Sequence, residues 1–540
     1  MALINGGWGE ALIKKRANSW PFAAFALPLN IMNTKKKVKD IKRRGALLIA
    51  AALLVAGCGT HKSNIATRPD TKTNTTSTID TTSTTPPQLP PKSFRGVWMA
   101  TVANIDWPVK YITDARGIER EKATYRRYLD SLQALNVNAV MFQVRPMADA
   151  FYASPYEPWS QYLSGTRGKD PGWDPLPWLI SETHRRGMQF HAWLNPYRVA
   201  MRKDRRTPWP KLDRSIPAKW VKTYRLLRVY NPALPEVRQR VADVVKDLLT
   251  RFDIDGIHFD DYFYPALQPG ERMNDEKELR QYGRQFSNIA DFRRANVDSM
   301  IVLVKRTIRA VRPNCLFSVS PQGNHDNDLN AMYCNVDKWT REGWIDVLIP
   351  QLYWSTERFF TPRLKEFADL CTNTHYMVGY GLYRFSPTAR SSFFRTNDDL
   401  RLQFSEAANN NKVEGALLYS ARWLLDNPCN INGAIRETFA KPALPPYLGQ
   451  QPMVRPKQPE NVRATVMDGD SLRLTWSPVD GCYYAVYRSN GGGREASLVG
   501  ITYEPTMVVP AGAEYLVTAV TRGVNAESKA SPLPPPREGE

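Results

Sequence analysis

The chain contains few of the residues that most often bind transition metals, with six cysteines and six histidines among 540 residues. They form no Cys-x-x-Cys motif, no His-x-x-x-His pair and no other spacing typical of a zinc site. We therefore predict an activity that needs neither a bound metal nor a cofactor. Apart from Cys58, which is treated below, five cysteines remain, so at least one thiol is free.

A long apolar run is also lacking near the N-terminus. The apolar stretch Ala46–Gly57 has about a dozen residues, whereas a bilayer-spanning helix needs roughly 20. The basic run Lys35–Arg44 precedes it, which is the layout of a secretory signal peptide. The stretch ends in the letters VAGC, and small residues before a cysteine resemble the bacterial lipobox. We predict that residues 1–58 are an N-terminal extension and a lipoprotein signal peptide, with lipidation at Cys58; a plain signal peptide with a chance cysteine is the alternative.

Export changes the interpretation of the net charge of +20. Seven of the positive charges lie in the signal region, which leaves an excess of about +13 in the rest of the chain. That excess suits an anionic envelope polymer or a lipid surface and does not require nucleic acid. We expect a polysaccharide partner, a membrane contact through the lipid on Cys58, no nucleic acid, and a location in the bacterial envelope at the outer membrane.

Composition divides the remaining chain into five segments. Residues 59–91 are rich in Thr, Ser, Asn and Pro and are predicted to be a disordered tether. The large domain is predicted at 92–445, followed by a Pro-rich linker at 446–459. Short strand-like runs separated by turn residues at 460–530 resemble a fibronectin type III β-sandwich. Residues 531–540 are predicted to be a disordered tail.

Eight strand-like runs alternate with amphipathic helical patterns in the large domain. One helical pattern, Pro235–Phe252, places Val237, Val241 and Leu248 on one face. This alternation predicts an α/β fold, a (β/α)8 TIM-like barrel with a small C-terminal all-β sandwich domain. A doubly wound open sheet is the alternative, but no glycine-rich nucleotide motif follows the first run. The eight runs are Arg95–Thr101, Ala139–Arg145, Gln189–Asn195, Gly256–Asp261, Leu316–Pro321, Val347–Trp354, Tyr376–Tyr383 and Gly415–Ala421.

Functional side chains of such a barrel lie where its strands end. In the third run, strand alternation places His191, Trp193 and Asn195 on one face, and in the fourth run it places His258 and Asp260 on one face. Polar side chains at these positions pack poorly in an apolar core. We expect both sets to point into the mouth of the barrel.

Glycoside hydrolysis needs two carboxyl groups, one to donate a proton and one to act as nucleophile or base. Asp260 is the best candidate for one of them. Glu357, just past the sixth run, is the first choice for its partner, although an exposed loop position is the alternative; Asp149 and Asp106 come next. Asp261 is adjacent to Asp260, so its side chain should point away from the same face; we include it as a catalytic candidate that orients a neighbour.

Other side chains at the strand ends are predicted to contact the sugar. Polar groups would bind hydroxyls or adjust the ionisation of the carboxyl groups, and aromatic rings would stack on sugar faces. The polar candidates are Asp106, Arg145, Asp149, His191, Asn195, His258 and Gln351. The aromatic candidates are Trp193, Tyr353, Trp354 and Tyr383.

Several motifs are shared with a known family. They are FRGVW at 94–98, NIDWP at 104–108, HAWLNPYR at 191–198, GIHFDDYFYP at 256–265 and PQLYW at 350–354. Across 92–445 the chain resembles the glycosyl-hydrolase-like family 10 lipoproteins of bacterial envelopes. The resemblance implies a TIM-barrel glycoside hydrolase, an acidic role for Asp260, and a polysaccharide substrate such as the peptidoglycan backbone stripped of its peptides.

Two rival functions remain open from the sequence. In a metal-dependent polysaccharide deacetylase, His258, Asp260 and Asp261 would bind a cation. In a non-catalytic glycan-binding lipoprotein, the barrel would lack a second carboxylate facing Asp260.

Overall fold

The computed structural model describes residues 88–267, 270–387, 394–467, 470–490 and 495–533. The predicted signal peptide, Cys58 and most of the predicted tether lie outside these residues, as does most of the predicted C-terminal tail. Within the described part of the chain, no helix is both long and apolar enough to cross a membrane.

Eight parallel strands form a closed barrel, which confirms the predicted fold class. Around the barrel each strand pairs with the next in chain order, and the last strand, β11, pairs in parallel with the first, β1. The barrel strands are β1 (Phe94–Met99), β2 (Ala139–Arg145), β3 (Gln189–Leu194), β7 (Gly256–Phe259), β8 (Leu316–Val319), β9 (Val347–Leu348), β10 (His375–Gly381) and β11 (Val413–Tyr419).

Helices connect the strands and cover the outside of the barrel. Several begin at a residue whose side chain accepts a backbone N–H of the first turn, as Asp114 and Asn288 do. The helix Pro235–Arg251 begins with proline, whose missing N–H costs nothing there. The α-helices are Ala115–Gln133, Gln161–Ser164, Pro175–His184, Pro235–Arg251, Glu276–Tyr282, Ile289–Val311, His325–Asn330, Val336–Arg341, Thr361–Leu370, Asp398–Ala408, Ala421–Asp426 and Ile431–Thr438.

Alternation along the strands creates two apolar cores. Side chains on one face of the strands, such as Trp98, Met141 and Leu417, fill the barrel interior. Side chains on the other face, such as Val97 and Phe142, pack under the helices. Each fully buried aliphatic or aromatic side chain contributes about 1.5–3 kcal/mol, so the filled interior fixes the strand ends that carry polar groups.

An antiparallel sheet is inserted directly after β3 and was not among the predicted elements. Its order is β4-β6-β5, formed by β4 (Arg198–Met201), β5 (Val221–Thr223) and β6 (Leu227–Tyr230). Since it follows the carboxyl end of a barrel strand, it belongs to the face on which barrel enzymes carry their active sites.

The C-terminal segment forms two antiparallel sheets, as the all-β prediction requires. Their strand orders are β12-β13-β16 and β15-β14-β17-β18. Ser531 pairs with Val517, so the last strand begins inside the segment that was predicted to be a tail. The strands are β12 (Arg463–Val466), β13 (Ser471–Thr475), β14 (Cys482–Arg488), β15 (Ser497–Thr502), β16 (Thr506–Pro510), β17 (Tyr515–Thr521) and β18 (Ser531–Pro532).

The C-terminal sheets pack against the amino-terminal end of the barrel. His184 stacks on Tyr503 with ring centroids 3.9 Å apart, and its Nε2 lies 2.8 Å from a carboxylate oxygen of Asp255, just before β7. Gln189, the first residue of β3, donates to Asn525 at 2.6 Å. The predicted linker contributes too, because Leu448 is buried in the cluster that fills the barrel interior. These contacts join the two domains on the side opposite the polar strand ends.

Gly523 tests this docking because it has a φ of +76° and its missing Cβ would overlap the carbonyl oxygen of Asn314 on the barrel. We expect Gly523→Ala to cost about 1–2 kcal/mol for the left-handed backbone plus about 1–3 kcal/mol for overpacking. Gly512→Ala is the matched control, since Gly512 has a φ of +78° and nothing within 4 Å of a built Cβ. Urea unfolding of both variants measures the difference; equal destabilisation would contradict the docking.

Candidate active site

Asp260 lies at the carboxyl end of β7, and a chain of hydrogen bonds across four strands holds it there. The backbone N–H groups of Thr101 and Val102, after β1, donate to Gln143 Oε1 at 2.9 Å each. Gln143 Nε2 on β2 donates to Asn195 Oδ1 after β3 at 2.6 Å. Asn195 Nδ2 in turn donates to Asp260 Oδ2. The positions of four strand ends therefore fix one carboxyl group.

The Asp260 carboxyl group is almost removed from water, with the residue 4% exposed. Its pKa is raised to about 7, mainly by burial and also by the negative charge of Asp261, while the Arg198 guanidinium opposes the shift. Arg198 NH2 lies 3.9 Å from Asp260 Oδ2 and its guanidinium lies over the Tyr262 ring at 4.3 Å. Oδ1 of Asp260 forms no hydrogen bond of normal geometry among the described residues, although the Trp193 indole and the Tyr262 backbone N–H favour the charged form of this carboxyl group and so lower its pKa. With a pKa of about 7, Asp260 keeps its proton in a large fraction of the molecules near neutral pH.

Asp261 is also buried, and it interacts with the ends of the strands beyond β7. Burial raises its pKa, while the side chains of Gln322 and Gln351 favour its charged form through hydrogen bonds. The two neighbouring acids are coupled, and a charge on Asp261 raises the pKa of Asp260. The prediction that Asp261 points away from the site assumed strand alternation up to residue 261. Since β7 ends at Phe259, this alternation does not extend to Asp261, and the predicted direction of its side chain stays a prediction.

His258 forms the floor beneath Asp260 rather than a surface for substrate. The Trp98 indole N–H donates to His258 Nε2 at 2.9 Å, and His258 Nδ1 lies 2.8 Å from the Ser318 hydroxyl. Trp193, on β3, meets the same imidazole edge to face with centroids 6.3 Å apart. Burial lowers the pKa of His258 to about 3, so the ring is neutral and carries its proton on Nδ1. With both nitrogens engaged, His258 does not fit the metal ligand that a deacetylase would need.

Two further predicted residues lie deeper in the fold. His191 is 1% exposed and contacts Phe94 edge-on, and burial lowers the pKa of its ring to about 4. Arg145 is also 1% exposed, pairs with Glu157 at 2.9 Å and donates to the backbone carbonyl of Asn195. Their burial disfavours contact with substrate. Arg145 instead positions Asn195, the residue that holds Asp260.

Asp106 and Asp149 are buried carboxyl groups that stabilise the fold through hydrogen bonds. Asp106 is fully buried and accepts hydrogen bonds from Ala100 N at 2.6 Å and from the Ser420 hydroxyl at 2.8 Å. Burial raises the pKa of Asp106 to about 6 against these bonds. Asp149 is 1% exposed and accepts the N–H of Met147 at 3.1 Å. These contacts leave neither side chain open to a bound sugar.

Glu357 lies on the short helical turn Thr356–Phe360 that follows β9, and its side chain is exposed. Its charge acts on Asp399, whose pKa is raised mainly by burial. The exposed loop position that the sequence left open as the alternative is therefore the one observed, and the role of Glu357 as the second carboxylate stays a prediction.

Half-buried aromatic side chains line the mouth beside Asp261. Tyr353 stacks on Tyr419 with ring centroids 5.9 Å apart, and Tyr383 meets Tyr353 edge-on at 5.8 Å. Gln351, also half-buried, precedes them and donates to the Ser320 carbonyl at 3.2 Å. Exposed aromatic clusters at a barrel mouth are typical of binding surfaces. The predicted positions Tyr353, Tyr383 and Gln351 thus come together.

Trp354 is half-buried and is linked to the tyrosine cluster through Arg384, whose guanidinium lies 5.8 Å from the centre of its ring and 5.4 Å from that of Tyr383. The Arg363 guanidinium lies over the same indole at 4.4 Å, and Phe359 packs against it with centroids 5.8 Å apart. Its indole N–H has no partner among the described residues. Its predicted stacking on sugar stays a prediction.

Gln143, Arg198, Tyr262 and Tyr419 belong to the site but were not among the predicted site residues. Each lies within one of the strand ends or motifs that the sequence displays, so the signal was position in the barrel. Their roles depend on partners far away in the chain, such as the contact of Gln143 with Thr101 across 42 residues. Within the described residues, no group of three or more His, Cys, Asp or Glu side chains could hold a metal ion.

Comparison with known proteins gives a consistent result. The family model described as "Glycosyl hydrolase-like 10" matches residues 93–390. Glycosyl hydrolase YngK of Bacillus subtilis is 33% identical over 82% of this chain and 92% of its own length. Glycosyl hydrolase DigH of Escherichia coli K12 is 32% identical over 66% of this chain and 86% of its own.

Among solved structures, alpha-L-fucosidase isoenzyme 2 from Paenibacillus thiaminolyticus matches with a TM-score of 0.42 and 14% identity. The match covers 64% of this chain and 49% of that one.

The buried Asp260 should make stability depend on pH. In the unfolded chain the carboxyl group ionises near 4, whereas in the folded chain its pKa is about 7. Between these values the folded state binds more protons, so the free energy of unfolding falls as pH rises and the loss is complete above about 7. Asp260→Asn removes this titration. We expect it to melt at least about 2 °C above the wild type at pH 8 and close to it at pH 5.

Thermal unfolding at both pH values, with Glu357→Gln as an exposed-carboxylate control, measures this difference. The control should differ from the wild type equally at the two pH values. An Asp260→Asn variant whose melting temperature tracks the wild type at both would show that Asp260 ionises normally.

Proposed function

The chain belongs to the glycosyl hydrolase-like 10 family, and from this premise we propose that it hydrolyses glycosidic bonds of an envelope polysaccharide with Asp260 as the proton donor. The observation that carries the proposal is the buried, hydrogen-bonded Asp260 carboxyl group at the carboxyl end of a barrel strand, with a pKa of about 7. A carboxyl group that is protonated near neutral pH is what a leaving glycosidic oxygen requires.

The proton of Asp260 would pass to the glycosidic oxygen as the bond from that oxygen to the anomeric carbon breaks. The leaving sugar departs as an alcohol, and positive charge develops on the ring that remains. Water then adds to the anomeric carbon and gives a proton back to the Asp260 carboxylate, which restores the starting state. Asn195, already bonded to Oδ2, keeps the carboxyl plane fixed so that the unpartnered Oδ1 faces the reacting oxygen.

Asp261 is the proposed second carboxylate. It is the acid whose charge raises the pKa of Asp260, and its own charged form is favoured by Gln322 and Gln351. A carboxylate ionised beside a protonated one offsets the positive charge of an oxocarbenium-like transition state. The exposure of Glu357 and the internal bonds of Asp106 and Asp149 argue against the other candidates.

The aromatic cluster would bind the sugar rings next to the scissile bond. Tyr353, Tyr383 and Tyr419 are half-buried and lie at the ends of neighbouring barrel strands, so their apolar faces are partly desolvated before substrate binds. A rigid, pre-formed surface of this kind lowers the entropy cost of binding. Trp193 packs inside the barrel against His258 and is 6% exposed, so it offers little surface to a sugar.

The finer parts of the proposal rest on the sequence. The basic and apolar run ending at Cys58 supports an exported lipoprotein held at the outer membrane, close to peptidoglycan. We therefore propose the peptide-free peptidoglycan backbone as the substrate. The two-sheet order of residues 463–532 supports a fibronectin type III-like module, and its contacts with the barrel support a role in bracing the catalytic domain.

Loss of the acid should abolish turnover. We expect Asp260→Asn to lower kcat/KM on peptide-free glycan strands by about 10²–10⁴-fold, measured as release of reducing ends. The loss should be much smaller on aryl glycosides with an acidic leaving group, which departs without a proton. Glu357→Gln should stay within about twofold of the wild type because its side chain is exposed. Equal release by Asp260→Asn and the wild type would remove Asp260 from the mechanism, and no release by the wild type would leave only the glycan-binding function.

The pH profile tests the electrostatics separately. Activity should fall as pH rises through about 7, since Asp260 loses its proton there. Arg198→Gln removes a positive charge that lowers the pKa of Asp260, so the alkaline limb should move to higher pH. Arg198→Lys keeps the charge and should hold the limb near that of the wild type. If the alkaline limb of the pH profile does not move in Arg198→Gln, Arg198 does not influence the pKa of Asp260.

A further inference from the structure

The segment between Arg198 and Tyr230 is much more basic than the rest of the protein. It contains 11 lysines and arginines but only two aspartates and no glutamate. This segment, which we call the basic insertion, forms the β4-β6-β5 sheet and the loops between its strands. Lys203, Arg205 and Arg206 are fully exposed in its first loop. Nothing in the proposed hydrolysis of a glycosidic bond requires such a concentration of positive charge.

The basic insertion begins at the candidate active site and extends away from it. Arg198, its first residue, lies 3.9 Å from Asp260 and only three positions after Asn195. A strand rises about 3.3 Å per residue, so Arg202 lies about 13 Å farther along. A polymer bound at Asp260 and running over this sheet would therefore pass from the acid to the arginines.

Two arginines of the basic insertion share one indole ring. The Arg202 guanidinium lies 4.6 Å and the Arg228 guanidinium 4.7 Å from the centre of Trp209. The pairing of β4 with β6, Ala200 with Arg228, brings the two arginines to neighbouring positions. Burial lowers the pKa of Arg228, and the charge of Arg202 lowers it further, so the two positive charges repel each other.

Neither of these arginines has a carboxylate within ion-pair distance among the described residues. Their hydrogen bonds go to backbone carbonyls instead, from Arg202 to Arg225 at 2.7 Å and from Arg228 to Pro210 at 3.1 Å. Arg228 Nε is buried with no partner. Elsewhere in the insertion, cations do have acidic partners, as Lys222 has in Glu278 at 2.9 Å. The Arg202–Trp209–Arg228 cluster is thus a partly desolvated positive site without its anion.

We infer that this cluster is a subsite for a carboxylate carried by the glycan, on sugar units beyond those at the scissile bond. The inference rests on the proposed function and specifies its substrate as an anionic sugar chain. Guanidinium groups bind carboxylates through two parallel hydrogen bonds, and a bound carboxylate would relieve the repulsion between Arg202 and Arg228. Trp209 is occupied by the arginines, so it holds them in place and does not stack on sugar.

Binding measurements by calorimetry on the full chain test the subsite without relying on turnover. The background is Asp260→Asn, and the ligands are peptide-free peptidoglycan strands, polygalacturonate and neutral chitohexaose. Arg202→Gln with Arg228→Gln should weaken binding of at least one charged chain by about tenfold or more, the loss of one charge-assisted hydrogen bond. If the variant weakens binding of peptidoglycan strands, the carboxylate is a lactyl group; if it weakens binding of polygalacturonate, the carboxylate is that of a uronic acid.

The matched control is Arg205→Gln with Arg206→Gln, which removes the same charge from the same insertion but does not touch Trp209. It should change the affinity for the charged chains less than about twofold, because exposed charges are screened. Melting temperatures of both double variants establish that they are folded. Three results would overturn the subsite. The two double variants could lose the same affinity for the charged chains. Arg202→Gln with Arg228→Gln could weaken chitohexaose binding as much as binding of the charged chains, or the protein with the unmutated insertion could bind charged and neutral chains equally well. None of these results depends on whether Asp260 catalyses hydrolysis.

Discussion

Desolvation of the Asp260 carboxyl group is the constraint on which the site depends. An ionised carboxylate with 4% exposure and one unpartnered oxygen is costly, and the neutral acid is not. The protein holds this acid in place with Asn195, which is itself held by Gln143 and, through its backbone, by Arg145. The supporting residues are buried polar groups that form hydrogen bonds with one another, and this network fixes the position of the carboxyl group.

The rest of the fold keeps this arrangement rigid from two sides. Inside the barrel, Trp98 and Trp193 pack around a neutral His258, which forms the floor beneath the acid. At the opposite end, the C-terminal sheets close the barrel through contacts such as His184 with Tyr503. The face left open carries the tyrosine cluster and the basic insertion, the two surfaces on which the proposed substrate would lie.

Periodicity predicted the barrel because buried strands and amphipathic helices leave strong local patterns, and all eight strands form where expected. It failed at strand ends. The fourth predicted run continued to Asp261, but β7 stops at Phe259, so strand alternation does not set the directions of Asp260 and Asp261. The burial of Asp106 depends on Ser420, 314 positions away, which no local pattern reveals. The short, charged strands of the basic insertion lack the apolar alternation that marks a strand, so Arg198 was seen only as the end of a motif.

Asp260 titrates near neutral pH rather than near 4, and its titration can be observed directly. Aspartate labelled with ¹³C at the side-chain carboxyl reports ionisation by NMR, and Asp260→Asn identifies the resonance that belongs to Asp260. The account predicts a midpoint near 7 for this resonance, with a smaller coupled change as Asp261 ionises. A midpoint near 4, the value of a solvated aspartate, would contradict it.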